Sequence, residues 1–132
     1  MASDISDRLR DQVAERAKFR CEYCFIHEDE AAFPLQVDHI ISRKHGGTSD
    51  FDNLAYACVL CNRYKGSDVA AIDPISHEAI RLFHPRRDAW TDHFRITSGI
   101  LEALTASARV NVRLLRIDAP ERAAERALLN VV

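Results

Sequence analysis

The pattern of apolar residues points to a small α+β domain held together by a cross-link. Ile5, Leu9, Val13 and Ala17 recur every four positions with Asp, Arg and Glu between them, which marks an amphipathic helix. Apolar runs around Val37 and from Ala79 to Phe83 are too short for helices and are bounded by loop residues, so they read as strands. Two Cys-x-x-Cys pairs, Cys21/Cys24 and Cys58/Cys61, flank a long intervening segment. Apolar residues make up 47% of the 132, a modest core at this length, and a staple between the pairs would strengthen it.

The first element is a helix over residues 4–17, with Ser3 or Asp4 as its cap. A knuckle at the first cysteine pair follows, then the acidic loop His27-Glu28-Asp29-Glu30. Phe33 to Val37 leads into a short strand that Ile40-Ile41 continues. The basic turn Arg43-Lys44-His45-Gly46-Gly47 contains glycines that permit positive φ, and two short antiparallel strands joined by this loop are expected. Asp50, Asp52 and Asn53 before Leu54-Ala55-Tyr56-Ala57 are helix-start residues, so strand, strand, helix is the expected order. The second cysteine pair opens a short turn or helix that Gly66 stops.

Farther on, Ala79 to Phe83 reads as a strand, and Trp90 to Phe94 as a helical turn or loop anchored by two aromatics. Leu101 to Ile117 reads as one helix starting at Thr105, although the alternation Val110-Val112-Leu114 leaves a strand open. Pro120 suits the first turn of a terminal helix reaching Leu129, with Glu121 early and Arg126 late. There is no repeat or linker, so residues 1–132 are expected to form one domain, with a core at 21–66 and an extension at 67–132.

A two-residue spacing lets two thiolates grip one ion from a tight turn, and two such pairs make a tetrahedral zinc set. Disulfides are the competing reading. The N-terminus, Met1-Ala2-Ser3-Asp4, lacks a basic and then hydrophobic leader, and no apolar stretch has the length of a membrane span. The expectation is therefore a soluble, cytoplasmic chain with reduced cysteines on structural Zn²⁺. His27 is read as a loop residue rather than a fifth ligand.

A net charge of −2 excludes a polycation that coats nucleic acid through bulk electrostatics. Acidity is concentrated before Pro34, while Arg43, Lys44, Arg63 and Lys65 flank Asp38-His39 and the second cysteine pair. Such a patch suits phosphate, although a charge cluster is also an ordinary solvated surface. Hydrolysis of a phosphodiester needs a base for water, a cation on the phosphate and a device that orients the base. Histidine exchanges a proton near neutral pH, which nominates His39. Asp38 offers a carboxylate oxygen and Asn62 an amide oxygen to Mg²⁺ or Mn²⁺. On a regular strand Asp38 and His39 would face opposite ways, so both reach one site only where the strand ends or bulges.

Cys-x-x-Cys, Val-Asp-His-Ile, Gly-Gly, Asn-Leu and Cys-x-x-Cys-Asn, in this order over residues 21–66, resemble the HNH endonuclease family. The resemblance implies a ββα-metal core, which the N-terminal helix and the C-terminal helices read from the residue pattern would flank. It also implies His39 as general base, Asp38 as ligand of the catalytic cation, and Asn53 as the residue fixing the loop that carries the histidine. Asn62 takes the place of the last motif residue, often His, which makes this an H-N-N variant. Asn53 has a blander rival role as a helix cap. The stretches Leu82 to Arg86 and Trp90 to Phe94 are similar to segments that trail the core in small bacterial members. His84 and His93 stay outside the catalytic set.

The expected function is metal-dependent cleavage of DNA phosphodiester bonds. The alternative is a catalytically degenerate HNH module that binds nucleic acid. A zinc-stapled protein-interaction domain is the third reading, and it leaves Asp38, His39 and Asn53 unexplained. No stripe names a dimer interface, so a monomer is expected with the oligomeric state left open.

Overall fold

The computed structural model describes residues 5–98, 100–120 and 122. Helix α1, Asp7–Arg16, is capped by Ser6, whose side chain accepts from Leu9 N–H at 3.1 Å, an arrangement worth about 1 kcal/mol. The helix therefore begins later than the apolar repeat suggested, and Ser3 and Asp4 lie outside the described residues. Its buried Val13 and Ala14 rest on strand β2, Leu54–Ala57. Arg16 completes the junction, donating to the carbonyls of Phe51 at 2.8 Å and Leu54 at 2.5 Å.

Strand β1, Gln36–His39, pairs antiparallel with β2 so that Asp38 faces Ala55 and His39 faces Leu54. Helix α2, Val59–Lys65, follows with Cys58 as its cap and ends at Gly66, which has φ +52°. This β1-β2-α2 unit is the expected core, with two corrections. The stretch Leu54–Ala57 is a strand, not the start of a helix. All four of its residues are buried, and burial on both faces outweighs the helix preference of Leu and Ala. Ile40 and Ile41 also leave the strand: Ile40 N–H still reaches the in-register carbonyl of Asn53 at 2.9 Å, but Asn53 N–H bonds back to the Asp50 carbonyl at 2.8 Å and ends the ladder.

The extension adds two antiparallel hairpins that the sequence did not fully announce. The first pairs β3, Ala70–Ile72, with β4, Ala79–Arg81; the second pairs β5, Phe94–Thr97, with β6, Ile100–Ala103. Helix α3, Trp90–His93, is the expected aromatic turn. Helix α4, Ala106–Leu114, begins at a Thr105 cap as expected, but Leu101 belongs to β6 rather than to that helix. Of the expected terminal helix only Pro120 and Arg122 are described.

Stacked aromatics join the extension to the first cysteine knuckle. Phe25 lies 4.7 Å from Trp90, and Trp90 lies 5.2 Å from Phe94. Arg86 pairs with Glu22, which also accepts from Tyr56 N–H. One buried cluster runs from Val13 through Tyr23, Leu54 and Phe94 to Ile117. Among the described residues no helix is long and apolar enough to cross a membrane.

Candidate functional site

Cys21, Cys24, Cys58 and Cys61 are all buried, and their sulfur atoms lie within 4.8 Å of one another. The sulfurs of Cys24 and Cys58 are 3.7 Å apart, close to the edge of about 3.8 Å that tetrahedral zinc with four sulfurs requires. Both turns aim amides at sulfur: Tyr23 and Cys24 N–H at Cys21 Sγ, and Cys61 N–H at Cys58 Sγ, each at 3.4 Å. Phe25 takes φ +74° to close the first turn. The donor set fits a structural zinc ion. Sequence reasoning missed Arg122, which is 5% exposed and donates from Nη2 to Cys61 Sγ at 3.1 Å and Cys58 Sγ at 3.4 Å. Its other nitrogen donates to the Leu115 carbonyl at 2.5 Å. A cation against thiolates offsets the negative charge of a four-cysteine zinc site, yet nothing in the local sequence connects residue 122 to the knuckles.

His39 stands at the end of β1, half-buried, with Nε2 2.9 Å from Ser49 Oγ. Arg43 Nη2 donates to the same hydroxyl at 3.1 Å, so the loop between the strands brings Arg43 and Ser49 to the histidine. Asn53 closes this loop. Its Oδ1 accepts from Ile41 N–H at 2.9 Å, and its Nδ2 donates to the carbonyls of Ile41 at 2.9 Å and Thr48 at 2.7 Å. Asn53 ends a short 3₁₀ turn directly before β2 and caps no α-helix. Gly46 turns at φ +87°, and a Cβ on Gly47 would overlap the Ile41 carbonyl.

Asp38 points away from that loop. It is 4% exposed, accepts from the Tyr23 hydroxyl at 2.7 Å, and pairs with Lys65 Nζ at 3.2 Å from Oδ2 and 3.3 Å from Oδ1. Burial raises its pKa above the ordinary carboxylate value, while Lys65 and Tyr23 pull the other way. Lys65 Nζ also donates to the His39 carbonyl at 3.1 Å. Lys65 is therefore not the phosphate contact that the sequence suggested: it is 3% exposed and committed to β1. One helical turn earlier Asn62 Nδ2 donates to Gln36 Oε1 at 2.7 Å, so α2 lies along the Gln36 and Asp38 face of β1.

Asp38 and Asn62 thus line one face, but as placed they do not make an open divalent-cation site. Both Asp38 oxygens are engaged by Tyr23 and Lys65. Among the described residues, the cluster of His, Cys, Asp and Glu side chains close enough to share an ion is the four cysteines. Lys44 is exposed in the basic turn beside Arg43. Arg63 is exposed on another face of α2, where it borders a cavity of about 160 Å³ with Phe33, Val59 and Arg122, so it does not join Arg43 at His39. Tyr23, Gln36 and Ser49 carried no signal of their own, since each sits in a stretch without periodicity.

No curated protein and no solved structure matches the chain. The family model described as HNH endonuclease matches residues 21–68, a span that opens on the first zinc-type cysteine and closes just after α2. The paired strands, the helix and the four-cysteine cluster occupy that span, so the part of the chain similar to the HNH endonuclease family is the part that carries the candidate site.

Proposed function

We propose that this protein is an endonuclease that hydrolyses DNA phosphodiester bonds, with His39 as the general base. The observation that carries the reading is the seating of His39: the imidazole is fixed from Nε2 by Ser49, in a loop held by Asn53. When Nε2–H donates to Ser49 Oγ, the lone pair lies on Nδ1, which is then the nitrogen left to take a proton from attacking water. Once protonated, the ring keeps the same hydrogen bond, so proton uptake requires no rearrangement there. Arg43 and Lys44 supply positive charge beside the histidine for a phosphate.

A divalent cation, Mg²⁺ or Mn²⁺, would lower the cost of charge on the phosphate and leaving oxygen. Asp38 and Asn62 are the residues that family resemblance nominates to hold it, and Asp38 accepts such a ligand only by giving up Lys65. The same engagement of Asp38 favours a second reading, a degenerate module that binds DNA without cutting it.

Supercoiled plasmid separates the two. Zinc-loaded protein is expected to nick it when Mg²⁺ or Mn²⁺ is added, and His39→Ala is expected to keep zinc and fold while losing on the order of a hundredfold or more in rate. Parent-like nicking by that variant would remove His39 from the mechanism. Salt-sensitive binding with no nicking under either cation would favour the second reading.

A further inference from the structure

A groove of about 280 Å³ lies beside the His39 loop, and its lining includes Ile40, Ile41 and Lys65 from the core with His84 and Arg87 from the extension. We propose that the turn His84–Arg87 is a phosphate subsite for the nucleic-acid strand whose scissile bond lies at His39, a proposal that rests on the nucleic-acid reading above. The argument is one of uncommitted donors. Lys65 is spent on Asp38, and Arg81, which also lines the groove, is held by Asp88 through two contacts at 3.0 and 3.2 Å. Arg87 is exposed, and its guanidinium has no hydrogen bond or ion pair among the described residues.

His84 is oriented by its own turn. Its Nδ1 accepts from the N–H groups of Arg86 at 3.1 Å and Arg87 at 3.3 Å, and its N–H donates to Asp88 at 2.9 Å. Burial first, and then Arg87, hold its pKa below the ordinary histidine value. The neutral ring therefore carries its proton on Nε2, the nitrogen left free to donate. A guanidinium fork and a fixed neutral donor, three residues apart in one turn, suit a phosphate oxygen pair. Ile40 and Ile41 follow His39 directly, so a strand lying at the histidine continues along this groove. Asp68 is the carboxylate in the lining, and its charge opposes the same ligand.

The test is binding of a fluorescently labelled DNA duplex across a sodium chloride series, without added divalent cation. Arg87→Ala is expected to weaken binding several-fold and to reduce the slope of log affinity against log salt by about 1. Arg87→Lys should restore the slope, and Asp68→Asn should tighten binding. Arg8→Ala, which removes an exposed charge from α1, should leave the slope as in the parent. Salt-dependent binding by the parent with an unchanged slope in Arg87→Ala would overturn the subsite and leave the nuclease reading standing. Absence of binding by the parent at low salt would overturn both.

Discussion

Asp38 and Lys65 form a buried ion pair whose third member is the main-chain oxygen of His39. The helix that Cys58 caps and that carries Cys61 is thereby tied to the strand that carries the candidate base. Removing one partner from such a pair leaves a charge without compensation, at a cost of about 3–5 kcal/mol. Lys65→Met is expected to lower the urea midpoint accordingly, and adding Asp38→Asn in the same chain should recover much of the loss. Equal stability of Lys65→Met and the parent would show that the pair does not hold α2 to β1.

Asn53 is expected to govern the His39 loop rather than the fold as a whole. Asn53→Ala removes three hydrogen bonds to the backbone, about 3 kcal/mol at a net worth of about 1 kcal/mol each. Misplacing the histidine by about 1 Å costs on the order of a hundredfold in rate. The expected result is slow nicking with full zinc content and faster hydrogen exchange at Ile41 N–H. Gly47→Ala should behave similarly, because its Cβ meets the Ile41 carbonyl. Unchanged exchange at Ile41 in Asn53→Ala would count against the clamp.

The zinc site offers a graded comparison. Cys58→Ser is expected to lose zinc and cooperative unfolding together, since binding free energy at such a site is folding free energy. Arg122→Met keeps four thiolates but removes the cation against Cys58 and Cys61. Its zinc should transfer to a colorimetric chelator roughly tenfold faster, within the range for outer partners of a metal site. A transfer rate equal to the parent's would make Arg122 a packing residue only.

Asp73 predicts an acid limb in stability. Hydrogen bonds from Arg109 at 2.7 and 2.9 Å hold its carboxyl well below the usual carboxylate range; burial opposes them, and Ile75 N–H and Ser76 add to them. A depressed folded pKa stabilises the protein above the unfolded value of about 3.9 and loses that contribution as pH falls toward the folded value. Melting curves between pH 6 and pH 2 should show Asp73→Asn melting below the parent at pH 6, with the two converging in acid. A constant gap across this range would contradict the linkage.

The parts legible in the sequence were those carried by spacing and by residue type. Two cysteine pairs are enough to name a metal cluster, because a thiolate set has few other uses at that spacing. The Ser-Thr-Asp-Asn vocabulary of caps placed the Thr105 start of α4 correctly. The same vocabulary misled at Leu54–Ala57, where Asp50, Asp52 and Asn53 shape a 3₁₀ turn and the following four residues are a strand buried on both faces. A strand without a solvent face shows no alternation, so periodicity could not reveal it.

Within the site the division is similar. Residue chemistry nominated His39, Asp38 and Asn62, and the family resemblance added Asn53, all local features of the chain. Which way Asp38 turns, and that Lys65 meets it, depend on α2 packing across β1 after the cysteines bring residues 21–24 and 58–61 together. Ser49 reaches His39 only because Asn53 folds the loop back, and Arg122 reaches the sulfurs from the far end of the chain. Local chemistry is written along the chain, while the pairing of charges and donors follows from long-range closure, which no window of sequence contains.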